Sequence, residues 1–218
     1  MKLYDYVLSA SCYKVRLMAA LMRVKLETEA VDFHPGRAHR SAAFRAINPA
    51  GTLPVLVDGD LTLTESTAML VYLARGPWLG AGPPQTAQVQ QWLAFSARLG
   101  SSLGMARLHD MLLYPGDIEA LRLAGVEALR ELESHLTEAR FAGRIFLVGD
   151  GPTIADIACF PNVALAPDGG VSLDDYPSIR LWSRAVRALP GFIEMPGIHR
   201  LHELKPAPEA VPPLEDAL

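Results

Sequence analysis

Two short stretches of the chain hold side chains able to do chemistry, and a third has the form of a structural motif. The first is Ser9-Ala10-Ser11-Cys12, a small polar run between a strand-like and a helix-like segment. A hydroxyl or thiol placed there faces the positive end of a helix dipole, which stabilises a thiolate, the protein's own or a ligand's. A free thiol titrates at about 8.5, and lowering it by two units takes roughly 2.7 kcal/mol of preferential thiolate stabilisation. One hydroxyl hydrogen bond to sulfur plus the dipole is of that order. Taken alone, the run reads first as an N-cap at Ser11 followed by a buried helical Cys12.

The second stretch is NPAGTLPVLVDGDLTLTES, residues 48–66. Pro54 stands where a strand begins, although proline has no N–H to give to a ladder. A cis peptide after Leu53 would turn the chain and leave the Leu53 N–H and C=O free to pair with an extended peptide. A trans proline on an edge strand is the ordinary alternative. Glu65 and Ser66 then open a helix. First-turn N–H groups suit a carboxylate and Glu65 suits an amino group, so the pair fits an α-amino-acid end, or is plain capping. His39 and Arg40 could anchor a second carboxylate or be solvated loop charges. The third stretch, Gly151-Pro152-Thr153-Ile154-Ala155-Asp156, has the form of a capping box that nucleates a buried helix. His34, His109, His135, His199 and His202 are scattered without ligand spacing and read as structural.

These residues must be positioned by ordinary elements. Residues 2–8 have strand content, and from Tyr13 to about Val24 the apolar residues recur at helical spacing, with Lys14 and Arg16 outside. Residues 28–33 read as a second strand and 41–47 as a short helix. Asp58-Gly59 between apolar runs at 55–57 and 61–63 is a hairpin signal. A helix from Glu65 to about Ala74 completes a βαβ–α–ββα pattern over residues 1–75. Gly76 through Pro84 is turn-rich, so 76–86 reads as a linker. Beyond it strand signals vanish. One long helix carries Val89, Trp92, Leu93, Leu99 and Leu103; another carries Leu121, Leu129, Leu132 and Leu136; two more follow at 153–165 and 178–189. The expected fold class is α/β plus all-α, with the helical domain over 87–205 and a Pro-rich tail over 206–218.

Composition narrows the functions. A formal net charge of −4 over 218 residues leaves no footprint for nucleic acid or an anionic membrane. No apolar run reaches the roughly 18 residues of a membrane span, and MKLYDYVL is too short and polar for a signal peptide. The two cysteines, Cys12 and Cys159, have neither disulfide-framework nor zinc spacing, so no metal is expected. A reducing, cytoplasmic compartment fits best.

Taken together, residues 1 to about 200 resemble the soluble glutathione S-transferases. The βαβ-α-ββα domain with its NPAGTLPVLVDGDLTLTES stretch, followed by helices carrying GDGPTIADIACFP, is similar to that family in order and motif. The resemblance implies a thioredoxin-like N-terminal domain and glutathione as co-substrate. It implies a cis Pro54 that exposes Leu53 to the cysteinyl part, Glu65 and Ser66 on the γ-glutamyl end, His39-Arg40 on the glycine carboxylate, and Thr52 as a further polar contact. For the catalytic group it implies Ser9 first, by the register of the plant-type and zeta-like serine classes, then Ser11, then Cys12. A serine would keep glutathione a thiolate for attack on an electrophile in conjugation, dehalogenation or isomerisation. A cysteine would give thiol transfer through a mixed disulfide. A non-catalytic glutathione-binding or assembly module is the remaining alternative. A pocket for a small hydrophobic electrophile is expected around Met105, Leu108, His109 and Leu112, closed by the region near His199. The family pattern is a homodimer.

Overall fold

The computed structural model describes residues 1–195, so the expectations at His199 and for the tail at 206–218 lie outside the described residues. Strand β1 (Lys2–Asp5) leads through a tight loop into helix α1 (Ala10–Leu21), and β2 (Glu27–Ala30) returns parallel to β1. Helix α2 (Ala42–Ile47) precedes the hairpin β3 (Val55–Asp58) and β4 (Leu61–Leu63), and α3 (Ser66–Leu73) closes the unit. The sheet order is β2-β1-β3-β4, with β3 antiparallel to both β1 and β4. Period-two alternation sends Leu3 and Leu56 into the main core under α1 and α3. It sends Val55 to the opposite face, with Val31 and Phe44 of α2.

Both first strands are shorter than their composition predicts. β2 is an exposed edge strand, and after Val31 the chain leaves the sheet through a cis His34–Pro35 peptide, carrying Phe33 off towards the helical domain. The segment expected as a linker holds a 3-10 turn at Gly76–Leu79, and α4 already begins at Gly82.

The second half is helical: α4 (Gly82–Leu99), α5 (Met105–Leu112), α6 (Ile118–Phe141), α7 (Ile154–Ala164) and α8 (Pro177–Arg187). α4 and α5 are not the single helix expected. A π turn at Gly100–Gly104 separates them. At Gly104 a Cβ would stand 3.1 Å from the Asn162 amide oxygen, so a side chain from α7 occupies the room the turn opens. Helix α7 is buried along its whole length, and its Thr153–Asp156 capping box is formed. One apolar core runs through both halves, from Leu3, Met18 and Met69 to Trp92, Leu129, Phe160 and Trp182. Met69 and Trp92 are therefore core residues. The Lys14 side chain, expected outside, is only 4% exposed.

Candidate functional site

The loop from β1 to α1 is built by Ser9. Its N–H donates to the Tyr6 carbonyl (2.8 Å), and its hydroxyl accepts from the Cys12 N–H (3.2 Å), so Ser9 rather than Ser11 caps α1. The cap fixes the phase of the helix. Ser9 and Ser11 both line an apolar cavity of about 290 Å³, while Cys12 turns into the core and lines neither of the two cavities here. The Cys12 sulfur accepts from the Tyr6 N–H (3.5 Å), and burial pushes its thiol pKa up to about 12 against the pull of the Ser9 and Tyr6 contacts. At neutral pH it is a protonated, buried thiol, the opposite of a reactive one.

The far wall of this cavity comes from the turn before β3. Buried Asn48 holds that turn: its amide nitrogen donates to the Thr52 carbonyl (2.9 Å) and hydroxyl (3.0 Å), and its oxygen accepts from the Ala50 N–H. Gly51 adopts φ +60°, and a Cβ there would come within 2.8 Å of the His39 carbonyl, so only glycine fits. The Leu53–Pro54 peptide is cis, and sheet pairing begins only at Val55, which leaves Leu53 off the ladder beside Thr52 on the cavity wall. Arg40 lines the same wall and donates to the Ala50 carbonyl. Its neighbour His39 does not. That ring is buried, stacked on Phe33 at 4.3 Å, and its pKa is lowered by burial and by Arg40, Arg37 and Arg45.

The helical domain supplies the third wall. Leu108 and Leu112 line the cavity, but Met105 and His109 do not; Met111 and Tyr114 stand there with them. The π turn explains the difference, because it shifts the phase of α5 relative to a straight continuation of α4. His109 instead faces Asp110, whose carboxyl is held low by that hydrogen bond and by Arg122. Two lining residues carry no signal in the local sequence. Arg107, 8% exposed, donates to the Leu8 carbonyl (2.8 Å) and pairs with Asp168 (3.0 Å), tying α5 to the residue before Ser9. Phe33 lies between Tyr6 and Tyr114, with ring centroids 5.3 and 6.1 Å away. Among the described residues the cavity lining holds two arginines and no carboxylate.

Glu65 and Ser66 open a second, more polar cavity of about 540 Å³ between α1, α3 and α4. Glu65 is the exposed N-cap of α3 and makes no side-chain cap, so its carboxylate is left for something else. Ser11, Gly100 and Asn162 line both cavities and form the wall between them. The expected residues thus fall on two adjoining spaces, Ser9, Arg40, Thr52 and Leu53 on one and Glu65 and Ser66 on the other. No group of three metal-binding side chains occurs among the described residues, and no described helix is long and apolar enough to cross a membrane.

Comparison with known proteins bears on the same two halves. Residues 1–75 match the model of the glutathione S-transferase N-terminal domain, and residues 115–185 that of the C-terminal domain. Glutathione S-transferase 2 of Anopheles gambiae is 34% identical, the match covering 80% of this chain and 84% of that one. A maleylacetoacetate isomerase of Pseudomonas aeruginosa is 30% identical over 88% of this chain and 93% of its own. The crystal structure of a glutathione S-transferase from Pseudomonas fluorescens superposes with a TM-score of 0.80 at 33% identity, covering 89% of this chain and 98% of that one. Both domains, in this order and over nearly the whole length of such relatives, make the chain a member of the glutathione S-transferase family.

Proposed function

We propose that the chain activates the thiol of glutathione through the Ser9 hydroxyl, for attack on a hydrophobic electrophile held in the apolar cavity. The observation that carries this reading is the Ser9 cap. It puts a hydroxyl at the positive end of α1, in a cavity whose lining offers two arginines and no carboxylate. A thiolate is favoured there over a thiol. Ser11, at the wall between the two cavities, is the next candidate. In this reading Leu53 meets the cysteinyl backbone, Thr52 adds a polar contact, Arg40 takes the glycine carboxylate, and Glu65 and Ser66 take the γ-glutamyl end. Pro54 keeps Leu53 turned outward. The apolar wall of Leu108, Met111, Leu112, Phe33 and Tyr114 suits an apolar electrophile. Substitution, dehalogenation and isomerisation all start from the same thiolate, and the isomerase among the relatives keeps the last in view. Thiol transfer through Cys12 is disfavoured, since its sulfur is buried and held protonated. We take the working form to be a cytoplasmic homodimer; sedimentation at micromolar concentration tests the assembly.

The test is a titration of glutathione into wild type, Ser9→Ala, Ser11→Ala and Cys12→Ala, reading thiolate absorbance against pH. A bound thiol pKa well below the free value, restored by Ser9→Ala with affinity kept, is the expected result. Binding without any pKa shift in wild type would make the chain a non-catalytic module instead.

A further inference from the structure

The second cavity contains a charge that the reading above does not use. Lys14 projects from α1 one turn beyond Ser11 and lines this space together with Glu65, Ser66, Thr67, Gln90 and Asn162. The residue is 4% exposed, and its ammonium makes no hydrogen bond or ion pair among the described residues. A buried cation without a partner is costly, so such charges are found paired or serving a ligand. Asn162, 5% exposed, also makes no side-chain hydrogen bond among the described residues, and it lines the same space. Asn162 fills the room beside the π turn, but nothing in the local packing calls for the Lys14 charge.

What the cavity offers is one buried cation, one free carboxylate at its rim and the first turn of α3. An α-amino-acid end carries the complementary pair, an ammonium and a carboxylate. From this juxtaposition we infer that Lys14 is the cation that receives the α-carboxylate of the γ-glutamyl end of glutathione, with Glu65 on its ammonium and the Asn162 amide as a neutral contact. The inference rests on the proposed function and adds to it a specificity-determining residue from α1. Ser66 alone would offer neutral N–H and O–H donors, which select an anion weakly; a buried ammonium makes the carboxylate a requirement.

The arrangement has a pH signature. Burial lowers the Lys14 pKa to about 8, opposed by the neighbouring Cys159 thiol. The titratable groups that face it from packed elements are Glu65 at the head of α3 and Cys159 on α7; α4 presents Gln90, Leu93, Ala94, Ser96 and Ala97, none of which titrates. A bound carboxylate stabilises the ammonium and raises its pKa. Binding above pH 8 therefore takes up a proton, and affinity falls by as much as about tenfold for each unit of pH until the bound-state pKa is passed.

S-methylglutathione, which has no thiol to titrate, is the probe, and its affinity is measured from pH 7 to 9.5 on wild type, Lys14→Gln and Lys14→Arg. The expected results are a loss of roughly ten- to hundredfold at pH 7 in Lys14→Gln, the effect of losing a hydrogen bond between charged groups, and rescue in Lys14→Arg. The wild-type decline above pH 8 should be steeper than that of Lys14→Arg, whose guanidinium keeps its proton throughout. The ligand's own amine titrates identically in each case, so the difference between the two profiles isolates Lys14. If Lys14→Gln does not fold, proton uptake at pH 8.5 in wild type against Lys14→Arg decides, by calorimetry in buffers of differing ionisation enthalpy. Equal affinity in Lys14→Gln, or superimposable profiles in wild type and Lys14→Arg, would overturn the inference while leaving the proposed function standing. Failure of wild type to bind S-methylglutathione at any pH would remove both.

Discussion

Replacing Asp156 by alanine should cost more stability than any substitution in the candidate site. The carboxylate is fully buried and accepts four hydrogen bonds: from the N–H of Leu147 (3.0 Å), the N–H and hydroxyl of Thr153 (2.8 and 3.2 Å) and the indole N–H of Trp182 (2.9 Å). It therefore joins the head of α7, the loop before it and α8. Burial pushes its pKa up, and the four donors work against that shift. Truncation removes their common acceptor. The Thr153 hydroxyl can turn to another partner, but the two backbone N–H groups and the indole are left in the interior. At about 1–3 kcal/mol for each of the three unsatisfied buried donors, the loss is on the order of 3–9 kcal/mol, a large part of the roughly 5–15 kcal/mol of a typical fold. Urea unfolding followed by tryptophan fluorescence measures it, since Trp182 reports the site directly. The midpoint should fall with little change in slope. Thr153→Ala is the internal comparison, because it removes a cap worth about 1 kcal/mol and leaves Asp156 its other donors. A loss in Asp156→Ala no larger than that in Thr153→Ala would refute the reasoning and mean that water replaces the carboxylate.

Three further outcomes follow from the packing. Lys14→Met should stabilise the unliganded protein by about 3 kcal/mol at pH 7, the equivalent of a pKa brought from 10.5 to about 8. The unfolded chain holds the extra proton between those values, so wild type recovers as pH rises from 8 towards 10.5 and the gain should vanish there, which urea midpoints across that range would show. Gly125→Ala should destabilise by about 1–3 kcal/mol, because its Cβ would stand 2.4 Å from a Leu103 methyl carbon in the π turn; a midpoint equal to wild type would mean the turn yields freely. Arg107→Met keeps the stem but loses the bonds to the Leu8 carbonyl and Asp168. It should raise the bound thiol pKa by loosening the Ser9 loop and removing a nearby cation, read in the same thiolate titration, with the overall fold judged unchanged by circular dichroism.

The sequence showed what local rules decide. Strand-type composition placed the strands though not their ends, Asp58-Gly59 placed the hairpin, and Thr153–Asp156 placed the head of α7, because each of these is settled by residues within a turn of one another. The π turn was hidden because the side chain packed against it, Asn162, arrives from a different helix, and with it went the phase of α5 and the true cavity wall. Ser9 and Cys12 show the same limit at closer range. Their residue types permit either to do chemistry, and only the choice of cap, Ser9 rather than Ser11, turns one to the cavity and the other to the core. Lys14 is the instructive error. Helical periodicity puts it on the outer face, and a charged side chain there needs no explanation. In the fold α3 and α7 pack on α1 and bury the side chain, and no partner for the charge stands there among the described residues. Where a local pattern says exterior and the tertiary structure says interior, a retained charge with no partner is better explained by a ligand than by packing, since methionine would serve the packing at lower cost.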